Sequence, residues 1–380
     1  MTGIGLNTSS GLELSDVHPF FQPIIDLSDM EIRGYGVLGR RRDKETDRHF
    51  SLGPVFHALD PTAPADMEFI FKLDHHIQAE AFERLRSGDS NTRLFLNIMP
   101  AILNHFYPDP RKIATQFHLR EMIDRLGIDP ARIVLEITEE EFPGDYETFI
   151  QIVQALKHQG FKIAVDDLGA GTNDLSRLAF LMPDIIKIDL NLLHVSRHHA
   201  SHRQLLMALS FIAHRLGAEL LFEGIEEEEE LMIALKMGGR FVQGFYFSPA
   251  EADFQAPDCY RDKLHGLLDE YSRYRIAELI SRYQMRKEML SGLGQAFRRI
   301  QPGQPESDIA DELNQQFSSI PDQIHSVAFF DLNGNRISDR YTRNGVQWIR
   351  NPGEQNISWR SHFQETLADF HFYGNSFRVS

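Results

Sequence analysis

Between Phe20 and about Phe247 the chain alternates short apolar runs with amphipathic stretches, and no other feature limits its possible folds as much. The runs are FQPIID, LFLNIMP, IVLEIT, KIAVDD, IIKIDL, ELLFEGI and FVQGFYF, rich in Val, Ile, Leu and Phe, with polar residues clustered towards their C-terminal ends. Stretches such as YETFIQIVQALKHQG and HRQLLMALSFIAHRLGA carry helical spacing, the second stopping at Leu216-Gly217. Strands that are apolar throughout have both faces covered, and strand–helix alternation makes a parallel sheet. Seven or eight such units in roughly 230 residues predict a (β/α)8 barrel, with a doubly wound open sheet as the alternative.

A barrel of this kind places its chemistry at the C-terminal ends of its strands. Those ends carry Asn97, Glu136, Asp166 with Asp167, Lys187, Glu223 and Gln243. Any one of them can be a polar residue leading into a loop; together they point to one shared cavity. The carboxylates and the Asn97 amide are oxygen ligands, which suit Mg2+ or Mn2+ rather than zinc. The Asp166-Asp167 pair can bridge two metals, and two divalent ions ~3.5–4 Å apart are the usual machinery of phosphodiester hydrolysis. It can equally cap a helix. Lys187 would hold a nucleophilic water or stabilise developing charge.

Charge narrows the partners. The 380 residues hold 55 Asp and Glu against 39 Lys and Arg, a net charge of -16. Such a balance argues against a protein that coats nucleic acid, and leaves room for a small phosphorylated ligand. The single cysteine, Cys259, fits a reducing compartment. The start MTGIGLNTSS lacks the pattern of a signal peptide, and no run approaches the ~18 apolar residues of a membrane span. The expected location is cytoplasmic, with no membrane partner.

After Pro257 the pattern changes. Three regions are expected: a barrel over 1–257, a connecting helix over 258–300, interrupted or ended near Gly292 and Gly294, and a small α+β module over 301–380. The helix offers a dimer seam or a packing face. QPGQPES (301–307) reads as a linker, DIADELNQQFSSI and WRSHFQETLADF as helices, and HSVAFFDLNGNRISDR as a hairpin around Asn333-Gly334. The chain stops at SFRVS with few strands for a complete sheet.

The motifs FQPI (21–24), YGVLGR (35–40), FLNIMP (95–100), LEITEEE (135–141), AVDDLGAG (164–171), IKIDL (186–190), FEGIE (222–226) and VQGFYFSP (242–249) resemble, in order, those of the EAL-domain family. These are cyclic-di-GMP phosphodiesterases and their non-catalytic relatives, built on a modified TIM barrel. The resemblance covers about residues 15–255. Beyond it the chain resembles a YkuI-type arrangement, in which a long helix joins the barrel to a C-terminal PAS-like module, expected here to be incomplete.

The resemblance implies a set of roles. Asn97, Glu136 and Asp166 match ligands of a first metal, and Asp166, Asp167 and Glu223 the surroundings of a second. Lys187 matches the lysine that contacts the catalytic water. Gln22, Leu38, Arg40, Glu226 and Gln243 match positions that touch the dinucleotide or brace its pocket, and Glu139 a loop anchor. A guanidinium such as Arg40 suits phosphate oxygens. The implied cofactor is Mg2+ or Mn2+, with Ca2+ inhibitory; the implied partners are cyclic-di-GMP, a second copy of the chain and a downstream protein.

The signature itself departs from the family. Where the family has Glu-Ala-Leu, this chain has Gly36-Val37-Leu38, so a carboxylate ligand of the first metal is absent. Even a residue behind the ligands typically contributes ~10–100-fold to metal affinity or activity. The loop after the Asp pair, Leu168-Gly169-Ala170-Gly171-Thr172, also differs from the usual Phe-Gly-Thr-Gly-Tyr. Three functions are therefore expected in descending order: a cyclic-di-GMP receptor with weak or lost hydrolysis, an active phosphodiesterase yielding pGpG, and a nucleotide-independent interaction module.

Other features read as ordinary. Glu226 belongs to a motif, and Glu227–Glu230 look like a solvated first helical turn. His198 and His202 have a spacing that can bind metal on a helix, but their polar surroundings predict a loop. Arg41 and Arg42 read as surface charges, and Phe245, Tyr246 and Phe247 as divided between core and pocket rim.

Overall fold

The computed structural model describes residues 12–60, 62–137, 145–168, 175–297 and 306–373, the last range apart from 316, 317, 319 and 321. The chain divides into two compact units, residues 1–268 and 269–380.

The first unit contains strands β1 Val17–Asp26, β2 Glu31–Arg42, β3 His49–Ser51, β4 Arg93–Ile98, β5 Ile133–Ile137, β6 Lys162–Leu168, β7 Ile185–Ile188, β8 Glu219–Phe222 and β9 Phe241–Val242. Its helices are α1 Gly53–Ala58, α2 Pro64–Arg86, α3 Pro100–Phe106, α4 Pro110–Gln116, α5 His118–Leu126, α6 Tyr146–His158, α7 Leu175–Leu181, α8 Leu190–His198, α9 Ala200–Leu216 and α10 Glu228–Lys236. The strand order is β1-β9-β8-β7-β6-β5-β4-β2-β3, and β1 also pairs with β2. Eight strands thus close into a barrel, and β3 lies outside it on the edge of β2. The open-sheet alternative is excluded.

One strand breaks the expected parallel rule: β1 is antiparallel to both β2 and β9. The cause is local. Only the turn Leu27–Met30 separates β1 from β2, whereas parallel neighbours need a crossover of about a dozen residues. From β2 through β4 to β9 the neighbours are parallel.

The barrel is filled from within by Ile24, Phe95, Val134, Ala164, Ile185, Leu221 and Phe241, one from each strand except β2 and β3. On β2 the inward position is Gly34, where a β-carbon would lie 2.6 Å from the Phe95 ring; the phenylalanine fills the space of both. A second apolar layer lies between the strands and the helices outside. The helix α9 stops where expected, at Gly217, whose φ of 71° is the left-handed value that ends helices.

The stretch around His194–His202 is helical, not a loop: α8 and α9 meet at His199, whose backbone is extended. His198 and His202 therefore sit on different helices and lack the single-helix spacing.

The helix α11, Arg261–Phe297, runs from the first unit into the second. It continues through Gly292 and Gly294, against expectation. A glycine inside a helix costs only about 1 kcal/mol relative to Ala, and the rest of the segment favours helix. The second unit adds α12 Glu306–Gln315, β10 Ser326–Val327, β11 Arg340–Arg343, β12 Trp348–Asn351 and α13 Ser361–Tyr373. Its three described strands form an antiparallel sheet. The turn expected at Asn333-Gly334 is present, with the Asp331 amide donating to the Asn335 carbonyl at 2.8 Å and a bridge between Phe330 and Arg336. Most of the linker and the terminal SFRVS lie outside the described residues. Among the described residues, no helix is long and apolar enough to cross a membrane.

Candidate functional site

The strand ends meet at Lys187. This residue lies in β7 between the buried Ile186 and Ile188, and its side chain is itself 5% exposed. Its ammonium is 2.9 Å from Oε1 of Glu136 on β5, 2.9 Å from Oδ2 of Asp166 on β6, and 2.6 Å from Oε1 of Glu223 just after β8. Four consecutive barrel strands thus deliver one cation and three carboxylates to one point.

The charges do not balance. Burial opposes the charge on Lys187, but Glu136, Glu223 and Asp166 outweigh it and raise the ammonium well above its ordinary value. Burial also raises Glu223; Lys187 pulls it down, Asp166 and Glu136 push it up, and it settles at about 8. The cluster therefore holds more negative charge than one lysine neutralises.

Asn97 on β4 stands in register beside Glu136 and is exposed. Asp167 belongs to β6, but its side chain lies outside the described residues, as does all of Glu139. Among the described residues, no group of three or more His, Cys, Asp or Glu side chains is placed to hold a metal ion as it stands. The three carboxylates are gathered around Lys187 instead. Their chemistry nevertheless fits a divalent cation: hard oxygen donors, surplus negative charge and a polar amide next in line.

The missing carboxylate has a definite place. Gly36 on β2 pairs with Gln22 on β1. Gln243, just after β9 and 8% exposed, donates from its side-chain Nε2 to Oε1 of Gln22 at 3.1 Å and more weakly to the Gln22 carbonyl at 3.5 Å. A β-carbon on Gly36 would lie 2.9 Å from that same nitrogen. An amide donor thus leans into the space beside the glycine.

Further up β2, Leu38 and Arg40 are half-buried. Burial lowers the Arg40 guanidinium below its ordinary value. Its Nη1 donates to the Gly39 carbonyl at 3.1 Å, and among the described residues no carboxylate lies within ion-pair distance of it. It is a cation available to a ligand.

Glu226 is exposed. The expectation for the glutamates after it fails at Glu230, which is 1% exposed. Its Oε2 accepts the backbone N–H groups of Glu226 at 2.9 Å and Glu227 at 3.2 Å, while Oε1 meets Nδ1 of His194 at 3.2 Å and Nη1 of Arg197 at 3.4 Å. Burial raises Glu230, but these partners outweigh it and hold it below its ordinary value. Glu227 and Glu230 form a reciprocal capping box at the start of α10. The signal was the E-x-x-E spacing before an apolar run.

Lys263, at the start of α11, also escaped the sequence reading. Its ammonium sits 3.5 Å from the centre of the Tyr246 ring and donates to the Tyr246 carbonyl at 3.1 Å. Tyr246 and Phe247 pack against the core, whereas Phe245 is 66% exposed.

A closed eight-stranded α/β barrel with one antiparallel strand, and an acidic cluster around a lysine at its strand ends, defines a distinctive class of TIM-type barrel. The chain belongs to the EAL-domain family, whose domain matches residues 7–250. It is 30% identical over 357 residues to an uncharacterized EAL-domain containing protein, YkuI of Bacillus subtilis, covering 93% of this chain and 84% of that one. The crystal structure of YkuI, in complex with substrate c-di-GMP and calcium, superposes with a TM-score of 0.83 at 28% identity, covering 94% and 87% of the two chains. PdeG of Escherichia coli, a probable cyclic di-GMP phosphodiesterase, is 25% identical over 232 residues, 61% of this chain but only 44% of its own length. BlrP1 of Klebsiella pneumoniae, in a manganese/cy-diGMP complex, matches with a TM-score of 0.52 at 25% identity, covering 66% of this chain and 58% of that one.

Proposed function

We propose that this chain is a cyclic-di-GMP receptor whose hydrolytic activity is weak or lost. The observation that carries the reading is the contrast within one barrel mouth. Lys187 gathers Glu136, Asp166 and Glu223, while Gly36 offers no carboxylate and faces the amide of Gln243. The known ligands of the relatives, c-di-GMP with calcium or manganese, support the choice of nucleotide and of a divalent ion.

In this reading Arg40 receives a phosphate oxygen, Gln22 and Gln243 offer amide hydrogen bonds from the barrel wall, and Glu226 lines the rim. Asn97, Glu136, Asp166, Asp167 and Glu223 would hold Mg2+ or Mn2+, which would supply an activated water and screen the phosphate charge. Lys187 keeps the three carboxylates assembled and presents cationic N–H donors to them. Without a glutamate at position 36 the first metal position is one ligand short, so binding outlasts turnover.

The same reading includes a cytoplasmic homodimer and an output through α11 to the C-terminal module or a downstream protein, which light scattering with and without nucleotide would test. The test of the main proposal is calorimetric titration of cyclic-di-GMP in Ca2+ and in Mg2+, followed by analysis of the Mg2+ sample for pGpG. Saturable binding without pGpG is expected. Formation of pGpG would instead favour an active phosphodiesterase, a reading supported by the retention of Lys187 and its three carboxylates. No binding in either ion would leave the interaction-module reading.

A further inference from the structure

Above the barrel mouth, β1, β2 and β3 form an antiparallel ledge. His18 pairs with Arg40, Phe20 with Leu38 and Gln22 with Gly36; across the other edge Arg40 pairs with Ser51 and Arg42 with His49. Directly paired residues project from the same face of a sheet. One face of the ledge thus carries Gln22, Leu38 and Arg40 together with Phe20 and His49. Along β1 the burial alternates: Val17, Pro19 and Phe21 are buried, whereas His18, Phe20 and Gln22 are half-buried. The face with Phe20 is the one open to a ligand.

On that face the Phe20 and His49 rings lie 4.9 Å apart at 45°, and the Arg40 guanidinium stands 5.9 Å from the Phe20 centre. A half-exposed aromatic pair beside a cation without a carboxylate partner matches one chemistry well. The cation takes a phosphate, and the rings take the flat base joined to that phosphate through its sugar. An isolated rim phenylalanine would need no explanation; this one continues the surface defined by Gln22, Leu38 and Arg40.

Resting on the proposed nucleotide-binding function, we infer that Phe20 and His49 form a stacking shelf for one purine base of the dinucleotide. They add base recognition to a pocket whose other residues address the phosphates.

The experiment uses the full chain. Binding of cyclic-di-GMP is titrated for the wild type, Phe20→Leu, Phe20→Tyr, His49→Ala and Arg40→Ala, with thermal melts as a fold control. In parallel, a cyclic dinucleotide with one guanine replaced by 2-aminopurine reports stacking through quenching of its fluorescence. Phe20→Leu keeps the bulk but not the ring and is expected to weaken binding between about fivefold and a hundredfold. Phe20→Tyr is expected to retain both affinity and quenching, and His49→Ala to lose part of each. If the wild type and Arg40→Ala differ but Phe20→Leu matches the wild type in affinity and quenching, the shelf is refuted while nucleotide binding stands. If the wild type binds no cyclic-di-GMP, both inferences fall.

Discussion

Gln243 holds its side-chain amide where a residue at position 36 would begin: Nε2 lies 2.9 Å from the place of a β-carbon on Gly36. The backbone of Gly36 is ordinary strand, outside the left-handed region, so other residues are compatible with it. The obstacle is the tip of a flexible side chain, which can swing away.

Gly36→Glu should therefore fold and supply the missing carboxylate. Its expected effect is at least a tenfold rise in pGpG formation in Mg2+ or Mn2+ over the wild type, in line with the weight of single residues at metal sites. Gly36→Ala is the control, since it displaces the amide and adds no ligand. It should not raise turnover. A glutamate variant no faster than the wild type would show that something other than the lost carboxylate limits hydrolysis.

Lys187 is ion-paired with three buried or half-buried carboxylates. Lys187→Met leaves them facing one another. Removing one partner of a buried ion pair typically costs about 3–5 kcal/mol, and urea unfolding should show a loss of that order. Because the donors suit a divalent cation, millimolar Mg2+ or Ca2+ should restore much of the stability to the variant and less to the wild type. Equal stability of the two proteins without metal would contradict the arrangement.

Much of this site was legible in the sequence because barrel strands end in a fixed place. Once the apolar runs are read as strands, Glu136, Asp166, Lys187 and Glu223 must converge, and they do. What was illegible depends on side-chain packing or on short-range chain geometry. The direction of β1 was set by a turn too short for a crossover. The aromatic pair Phe20 and His49 comes from residues far apart in sequence that only the ledge brings together. Glu230 looked like its neighbours because composition does not show which member of an acidic run turns inward.

Glu230 itself gives a prediction. It fixes the backbone amide of Glu226 and is buried against α8. Glu230→Ala removes an acceptor from two N–H groups and from His194 and Arg197, so a loss of about 1–3 kcal/mol is expected. Its carboxyl is held below its ordinary value, so its contribution is present above the unfolded-state value and disappears as the pH falls through the folded one. The variant should thus be destabilised at pH 7 and converge with the wild type in acid. Cyclic-di-GMP affinity should drop as well, since Glu226 loses its support.

A second polar cluster, between α2, α3 and the start of α5, should give the stability a two-sided pH dependence. Asp74, Gln78 and His118 line a cavity of about 10 Å3 with Phe71 and Met99 among its walls, room for one water at most. Burial raises Asp74 to about 7, and burial, aided by His75, lowers His118 to about 3. The signs oppose each other. Asp74 is favoured in its neutral form, so its contribution is full in acid and is lost as the pH rises towards and through 7. His118 is also favoured neutral, so its contribution is full above about 6.5 and is lost as the pH falls towards 3. Between these limits the two slopes offset each other. Asp74→Asn should match the wild type near pH 4 and exceed its stability at pH 8 by up to about 4 kcal/mol, since each tenfold change in a proton-binding equilibrium is worth about 1.4 kcal/mol. His118→Gln should lose its bond to the Tyr107 hydroxyl, 2.9 Å from Nδ1, and be less stable at pH 8, yet its curve should flatten on the acid side. Urea unfolding of the three proteins between pH 4 and pH 8.5 separates the two effects. Three parallel curves would mean that neither group changes its proton occupancy on folding in that range.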